Sequence, residues 1–327
     1  MKILVIQTAF IGDVILATAT AVRLKAWKAS VEVHFLVRSG NEEVLKEHPC
    51  IDRVWTWEKR QGKWRNLLRV MGEVRRERFD RVVNLHRFAS SGLVTVAAGA
   101  GHTAGFAQNP LSRFFHRRFP HVVGKPGKPG PHEVERNQLL IEELTGPGAA
   151  HPLLVPSRAD EEKIAAYTGV PFITISPASV WFTKQWPAAQ WITLIRKTQC
   201  PVMLLGAPGD AALCRLIQLA SDPGRVTVLA GTLSLLQSAA LMRHAAMNYV
   251  NDSAPLHLCS AVNAPVTAVF CSTIPEFGFG PLSDRSVVAQ TSRTLACRPC
   301  GLHGYKSCPE GHFACAEIAV APPEIGL

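Results

Sequence analysis

Short uncharged apolar runs alternate with helix-patterned segments along the chain, and the alternation occurs twice. In the first half the runs fall at 2–7, 31–37, 53–57, 81–86 and 102–106, separated by helical patterns at 13–28, 41–48, 61–78 and 132–144. Continuous apolar runs of this length predict parallel strands buried on both faces. The pattern breaks at two Pro/Gly-rich stretches, GKPGKPGP at 124–131 and GPGAAHPLLVP at 146–156. It then restarts, with strands expected at 172–177, 201–206, 226–229, 247–251 and 266–270, and helices at 187–198, 209–220, 233–244 and 253–262. The 327 residues suit two domains of roughly 150 residues each. The expectation is an α/β chain with two Rossmann-like domains, 1–156 and 157–327, whose parallel sheets face a central cleft.

Apolar residues make up 47% of the chain and charged residues 18%, which excludes a disordered polymer. The formal charge of +10 draws such a chain towards nucleic acid, an anionic membrane surface or an acidic substrate. Asp13 interrupts the apolar start before a signal-type core forms. No segment reads as a membrane span, 88–101 coming closest. A cytoplasmic protein touching the membrane surface is expected. Five scattered cysteines, Cys50, Cys200, Cys214, Cys259 and Cys271, sit mostly among apolar residues and read as reduced core thiols.

Strand, turn and helix meet at Phe10-Ile11-Gly12-Asp13. Gly12 permits a close turn. Asp13 reads either as a general base at the sheet's carboxyl edge or as a helix cap. Between the run at 172–177 and Pro187, Lys184 is the only cation of the loop from Ser179. It reads as a counter-charge for a pyrophosphate or as a solvated lysine. Asn251-Asp252-Ser253-Ala254-Pro255-Leu256-His257 opens a helix whose amides attract phosphate, with His257 one turn beyond Ser253. Asp210 reads as a ribose acid or an N-cap. Residues 53–81 hold ten Lys/Arg against four Asp/Glu, among them Lys59, Arg60 and Lys63. Arg113, Arg117 and Arg118 form a second basic group. Both suit an anionic acceptor, and the same charges would attract nucleic acid, although no nucleic-acid module is recognisable. Cys297, Cys300, Cys308, His312 and Cys315 offer zinc-ligand chemistry or a set of thiols, reduced or prone to disulfides.

Together these motifs resemble the ADP-heptose:lipopolysaccharide heptosyltransferases of glycosyltransferase family nine. The resemblance runs from IGDVILATA (11–19) through TKQWP (183–187) and NDSAPLHLCSAVNAPVTAVF (251–270) to CPEGHFAC (308–315). The last segment is most similar to the branch called heptosyltransferase II. The resemblance implies a GT-B fold and inverting, metal-independent transfer of heptose from ADP-heptose to the heptose/Kdo inner core of lipopolysaccharide. It implies catalysis by Asp13 and Lys184. It places Gly12, Ser179, Thr183, Lys184, Asp210, Asp252, Ser253, Ala254 and His257 at the donor, with Ala254 standing where the family carries glycine. The basic groups would hold the acceptor, closure across 124–156 would exclude water, and zinc at Cys297, Cys300, Cys308 and Cys315 would be structural only. The partners it implies are ADP-heptose, the lipid-borne acceptor and the cytoplasmic face of the inner membrane, with no nucleic acid. The alternatives are another GT-B nucleotide-sugar transferase or epimerase, and a non-enzymatic basic adaptor for nucleic acid or membrane.

Overall fold

The computed structural model describes residues 1–323. The chain divides into two compact units, Met1–Val122 with Pro131–Val155, and Val123–Gly130 with the chain from Pro156 onward. Each unit holds one parallel six-stranded sheet.

In the first unit the strands are β1 (Lys2–Ile6), β2 (Glu32–Arg38), β3 (Arg53–Trp57), β4 (Arg81–Asn84), β5 (His102–Phe106) and β6 (Arg117–Phe119), in the spatial order β3-β2-β1-β4-β5-β6. β1 lies at the centre and is hydrogen-bonded on both sides, to β2 and β4. Both of its faces are covered, and Ile3, Leu4, Val5 and Ile6 are all fully buried. This is why the run is apolar without alternation. Each such side chain contributes about 1.5–3 kcal/mol on leaving water. The helix Ile11–Trp27 presents Gly12, Ala17, Ala19 and Ala21 among its buried residues, and their small side chains permit close packing.

The second unit repeats the design with β7 (Ile173–Ser176), β8 (Val202–Leu204), β9 (Val226–Val228), β10 (Met247–Asn251), β11 (Val266–Phe270) and β12 (Ser286–Gln290), in the order β12-β11-β10-β7-β8-β9. Counting from its own first strand, this is the same winding as the first sheet. In both sheets the chain builds outward on one side of the first strand, then crosses back to the other side. Such a reversal leaves a crevice at the carboxyl ends, between β1 and β4 and between β7 and β10.

Two strands escape the sequence reading, β6 and β12. β6 carries Arg117 and Arg118 and pairs only with β5. Four residues of β12 are exposed. Edge strands need no continuous apolar run. Residues 89–97, inside the most membrane-like segment of the sequence, form a nine-residue helix, and no described helix is long and apolar enough to cross a membrane.

The segment 123–130 belongs to the second unit rather than forming a free connection. Gly130 donates its amide to the Glu276 carbonyl at 3.0 Å. A Cβ on Gly124 would run into that same carbonyl and the Gly130 backbone nitrogen. Gly124→Ala is therefore expected to cost about 1–3 kcal/mol in denaturant unfolding, whereas Gly127→Ala, where a Cβ meets nothing, carries only the cost of its positive φ of 68°.

Candidate functional site

In the first unit the site grows from the turn after β1. Phe10 is the N-cap of the helix Ile11–Trp27, and Asp13 stands in its first turn. The Phe10 amide reaches back to the Asp13 carboxylate. Asp13 is thus an acid of the first turn rather than the N-cap itself. Burial and the negative charge of Glu133 push its carboxyl up to about 7, against weaker lowering by the Phe10 amide and Arg87. Glu133 is itself buried, with Arg136 Nε donating to it at 2.7 Å and His121 at 3.1 Å. Arg136, 1% exposed, also donates to the carbonyls of Val122 and Pro131. These contacts fix an anion close to Asp13.

Groups that the sequence reading did not single out line the same edge. His86 follows β4, and its Nδ1 lies 3.0 Å from the Thr8 hydroxyl. Burial, then Lys59 and Arg87, hold the imidazole down at about 3, so it is neutral at physiological pH. The loop from His86 is fixed by Asn109, whose amide donates to the carbonyls of His86 and Phe88 at 3.0 Å. Gly92 leaves the room that Asn109 fills. Position at the end of the VVNL run, where a buried strand gives way to a loop, was the available signal for His86 and Arg87. Nothing in the sequence links Glu133 to Asp13, 120 residues away.

Of the expected acceptor cations, Lys59 reaches this edge. Its Nζ donates to the Thr8 carbonyl at 2.6 Å, and burial with Arg38 and Lys63 nearby brings its ammonium down to about 8. Arg60 and Lys63 are exposed just beyond. The second basic group does not stay together. Arg113 lies in the loop past β5, whereas Arg117 and Arg118 lie along the edge strand, level with Ala104 and Gly105. Arg117 acts on His102, the first residue of β5, at the opposite end of the strand from Asp13's edge.

In the second unit one buried amide organises the site. Asn251, fully buried at the end of β10, accepts the Trp186 amide at 2.9 Å and donates to the Pro177 carbonyl at 2.9 Å. Both ends of the loop 177–186 are thereby tied beside β10. Within it, Lys184 Nζ meets Asp252 Oδ2 at 2.6 Å, and the same oxygen accepts the Thr273 hydroxyl at 2.6 Å. Ser253 caps the helix Ala254–Ala261 by backbone only; its hydroxyl donates to the Asn251 carbonyl. The first amides of that helix, with Ala254 partly exposed, open beside the Lys184–Asp252 pair. His257 is buried, 6.5 Å from the Phe279 ring. Ser179 is half-buried, its carbonyl accepting from Gln185.

Two expected donor residues are differently engaged. Thr183 is 1% exposed, and its hydroxyl accepts the Tyr305 amide at 2.8 Å and the Ser272 hydroxyl at 3.0 Å. It holds the loop to the C-terminal segment, and its hydroxyl is engaged in those contacts. Gly304, at φ 75°, has no room for a Cβ beside Thr183, Lys184 and Ser272. Asp210 uses one carboxylate oxygen to accept the Ala207 amide at 2.8 Å, closing its own loop after β8. The other oxygen is not needed for that cap.

The C-terminal thiols gather around one cavity of about 210 Å³, lined by Cys297, Cys300, Cys308, His312 and Cys315 together with Thr183. Cys297 Sγ and His312 Nε2 are 4.0 Å apart. Among the described residues, no three of these ligand atoms lie within 4.8 Å of one another; Glu32, His34 and Glu77 do. There the Trp55 indole donates to His34 Nδ1 at 3.1 Å. His34 Nε2 then carries the proton towards Glu32, 2.7 Å away, and no ring lone pair is left for a metal.

Lys184→Ala leaves Asp252 buried beside Thr273 without its cation, at an expected cost of about 3 kcal/mol in denaturant unfolding. Adding Asp252→Asn should restore most of that stability.

The family model described as glycosyltransferase family 9 (heptosyltransferase) matches residues 67–305. Lipopolysaccharide heptosyltransferase 1 of Pseudomonas aeruginosa is 28% identical over 322 residues, covering 92% of this chain and 86% of that protein. Lipopolysaccharide heptosyltransferase 3 of Escherichia coli is 24% identical, covering 81% and 82%. The structure of E. coli ADP-heptose lps heptosyltransferase II superposes with a TM-score of 0.77 at 21% identity, over 93% of this chain and 92% of that one. That likeness establishes the α/β fold as GT-B. The chain belongs to glycosyltransferase family 9, the heptosyltransferases, and is a glycosyltransferase.

Proposed function

We propose that the enzyme transfers a heptose from ADP-heptose to the inner core of lipopolysaccharide, with inversion at the anomeric carbon and Asp13 as general base. The observation that carries this reading is the Asp13 carboxyl, held at about 7 by burial and Glu133 at the strand-order reversal of the first sheet. A base matched to neutral pH takes a hydroxyl proton as the bond forms, without being fully protonated beforehand.

The acceptor oxygen attacks the anomeric carbon from the face opposite the nucleotide, and its proton passes to Asp13. The bond from that carbon to the diphosphate oxygen breaks, and ADP departs with the electron pair. In the second unit, Lys184 and the amides at the start of the helix Ala254–Ala261 supply positive field to the leaving diphosphate. Asp252 keeps Lys184 extended before the donor arrives. With those groups in place, transfer needs no divalent metal. Asp210, Ser179 and Ser253 are assigned to the donor, His257 to the helix start behind it. Lys59, Arg60 and Lys63 are assigned to the acidic groups of the acceptor, and Arg38 and Arg87 extend that set.

The similarity to relatives named heptosyltransferase 1 and 3, and to a structure of heptosyltransferase II, supports a heptose as the sugar. The CPEGHFAC segment favours an acceptor that already bears one heptose. Mass spectrometry of reactions with ADP-heptose, EDTA and lipid A–Kdo acceptors carrying no heptose or one tests this directly. The expected result is a gain of one heptose on the mono-heptosylated acceptor. A gain only on the heptose-free acceptor would change the step, and no gain on either while ADP still binds would overturn the donor or acceptor assignment.

A further inference from the structure

The helix Lys63–Glu77 packs on the first unit through Leu67, Val70 and Val74. At 100° per residue these three share one sector of the helix. Around the remaining surface of the helix Trp64, Leu68, Arg65, Arg69 and Arg76 are all exposed, with the half-buried Gly72 among them. Trp64 is 63% exposed and Leu68 67%. They stand one turn apart and so form a single apolar spot. Lys63 lies over the Trp64 ring at 5.1 Å. The acids of the helix sit at the margins, Glu73 paired with Arg69 at 2.8 Å and Glu77 with Lys2. The helix begins directly beyond β3, at the same carboxyl edge as Asp13.

We propose that this outer face docks the first unit onto an anionic phospholipid bilayer. Trp64 and Leu68 enter the boundary between headgroups and acyl chains, and Arg65, Arg69 and Arg76 engage lipid phosphates. Charge complementarity and the apolar pair argue for the same occupant. Tryptophan beside arginines matches an interface that is apolar on one side and phosphate-rich on the other. A nucleic-acid duplex would use the arginines and leave Trp64 and Leu68 in water. The purpose of docking, delivery of a lipid-borne acceptor, rests on the proposed function; the docking itself does not.

Flotation of the full-length protein with vesicles of phosphatidylcholine alone, or with about a third phosphatidylglycerol, tests it. The wild type should float only with the anionic vesicles, and less at 0.5 M salt, where surface charges are screened. Trp64→Ala with Leu68→Ala should weaken binding more than tenfold. Arg65→Gln with Arg76→Gln should weaken it roughly fivefold per residue. Melting temperature and ADP binding serve as folding controls, and a water-soluble deacylated acceptor separates the two readings. Lost flotation with transfer to that acceptor unchanged supports the surface. Wild type that does not float, floats equally with neutral vesicles, or loses nothing in either variant overturns it, as does tighter binding to duplex RNA than to anionic vesicles. Failure of transfer to the soluble acceptor in the wild type would count against the proposed reaction and leave the docking result standing.

Discussion

A parallel sheet obliges the chain to cross over after every strand, and in both units the crossing reverses beside the first strand. This constraint places everything else. Between β1 and β4, and between β7 and β10, successive connections leave in opposite directions, so neither closes over the carboxyl end between them. The polar groups that a packed sheet cannot accept in its interior collect at those two edges. Asp13 follows β1 and His86 and Arg87 follow β4; Lys184 follows β7 and Asp252 follows β10.

The two edges are electrostatic opposites in how they treat charge. In the first unit a carboxyl is made reluctant to ionise. It loses solvent, and Glu133, committed to Arg136 and His121, adds repulsion that the partly buried Arg87 offsets only in part. In the second unit a cation is held beside its counter-ion, and Asp252 is itself supported by Thr273. The first arrangement stores basicity, and the second keeps a positive group oriented against the pull of solvent. Asn251 and Thr183 hold the Lys184 loop from both sides, one through β10 and the other through the C-terminal segment.

Much of this was legible in the sequence because buried parallel strands leave a simple trace. The central runs at 2–7, 172–177 and 247–251 were each read within a residue or so of the observed strands, since both faces of each are covered. β6 and β12 were not, because an edge strand is free to carry Arg117, Arg118 or exposed valines. Asp13, Lys184 and Asp252 were legible from their place between strand and helix. Their partners were less so. Thr273 and Asp252 are 21 residues apart, and Glu133 reaches Asp13 only through the return of the chain at 131–155. Thr183 shows the limit of reading a hydroxyl in a binding loop: its partner is Tyr305, brought back by the tail. The tail cysteines were grouped correctly by their spacing, and spacing could not say how closely their sulfurs approach.

The central claim is that Asp13 is the base and that its surroundings hold it at about 7. The pH dependence of kcat/KM reports the free enzyme's essential base. A carboxyl raised to that value is protonated and inactive below it and charged above it, so kcat/KM should climb about tenfold per unit below pH 6 and level off above pH 8. Glu133→Gln, which removes the neighbouring negative charge, should move the midpoint to lower pH. A profile that is flat from pH 5 to 8, or a midpoint that ignores Glu133→Gln, would contradict the account.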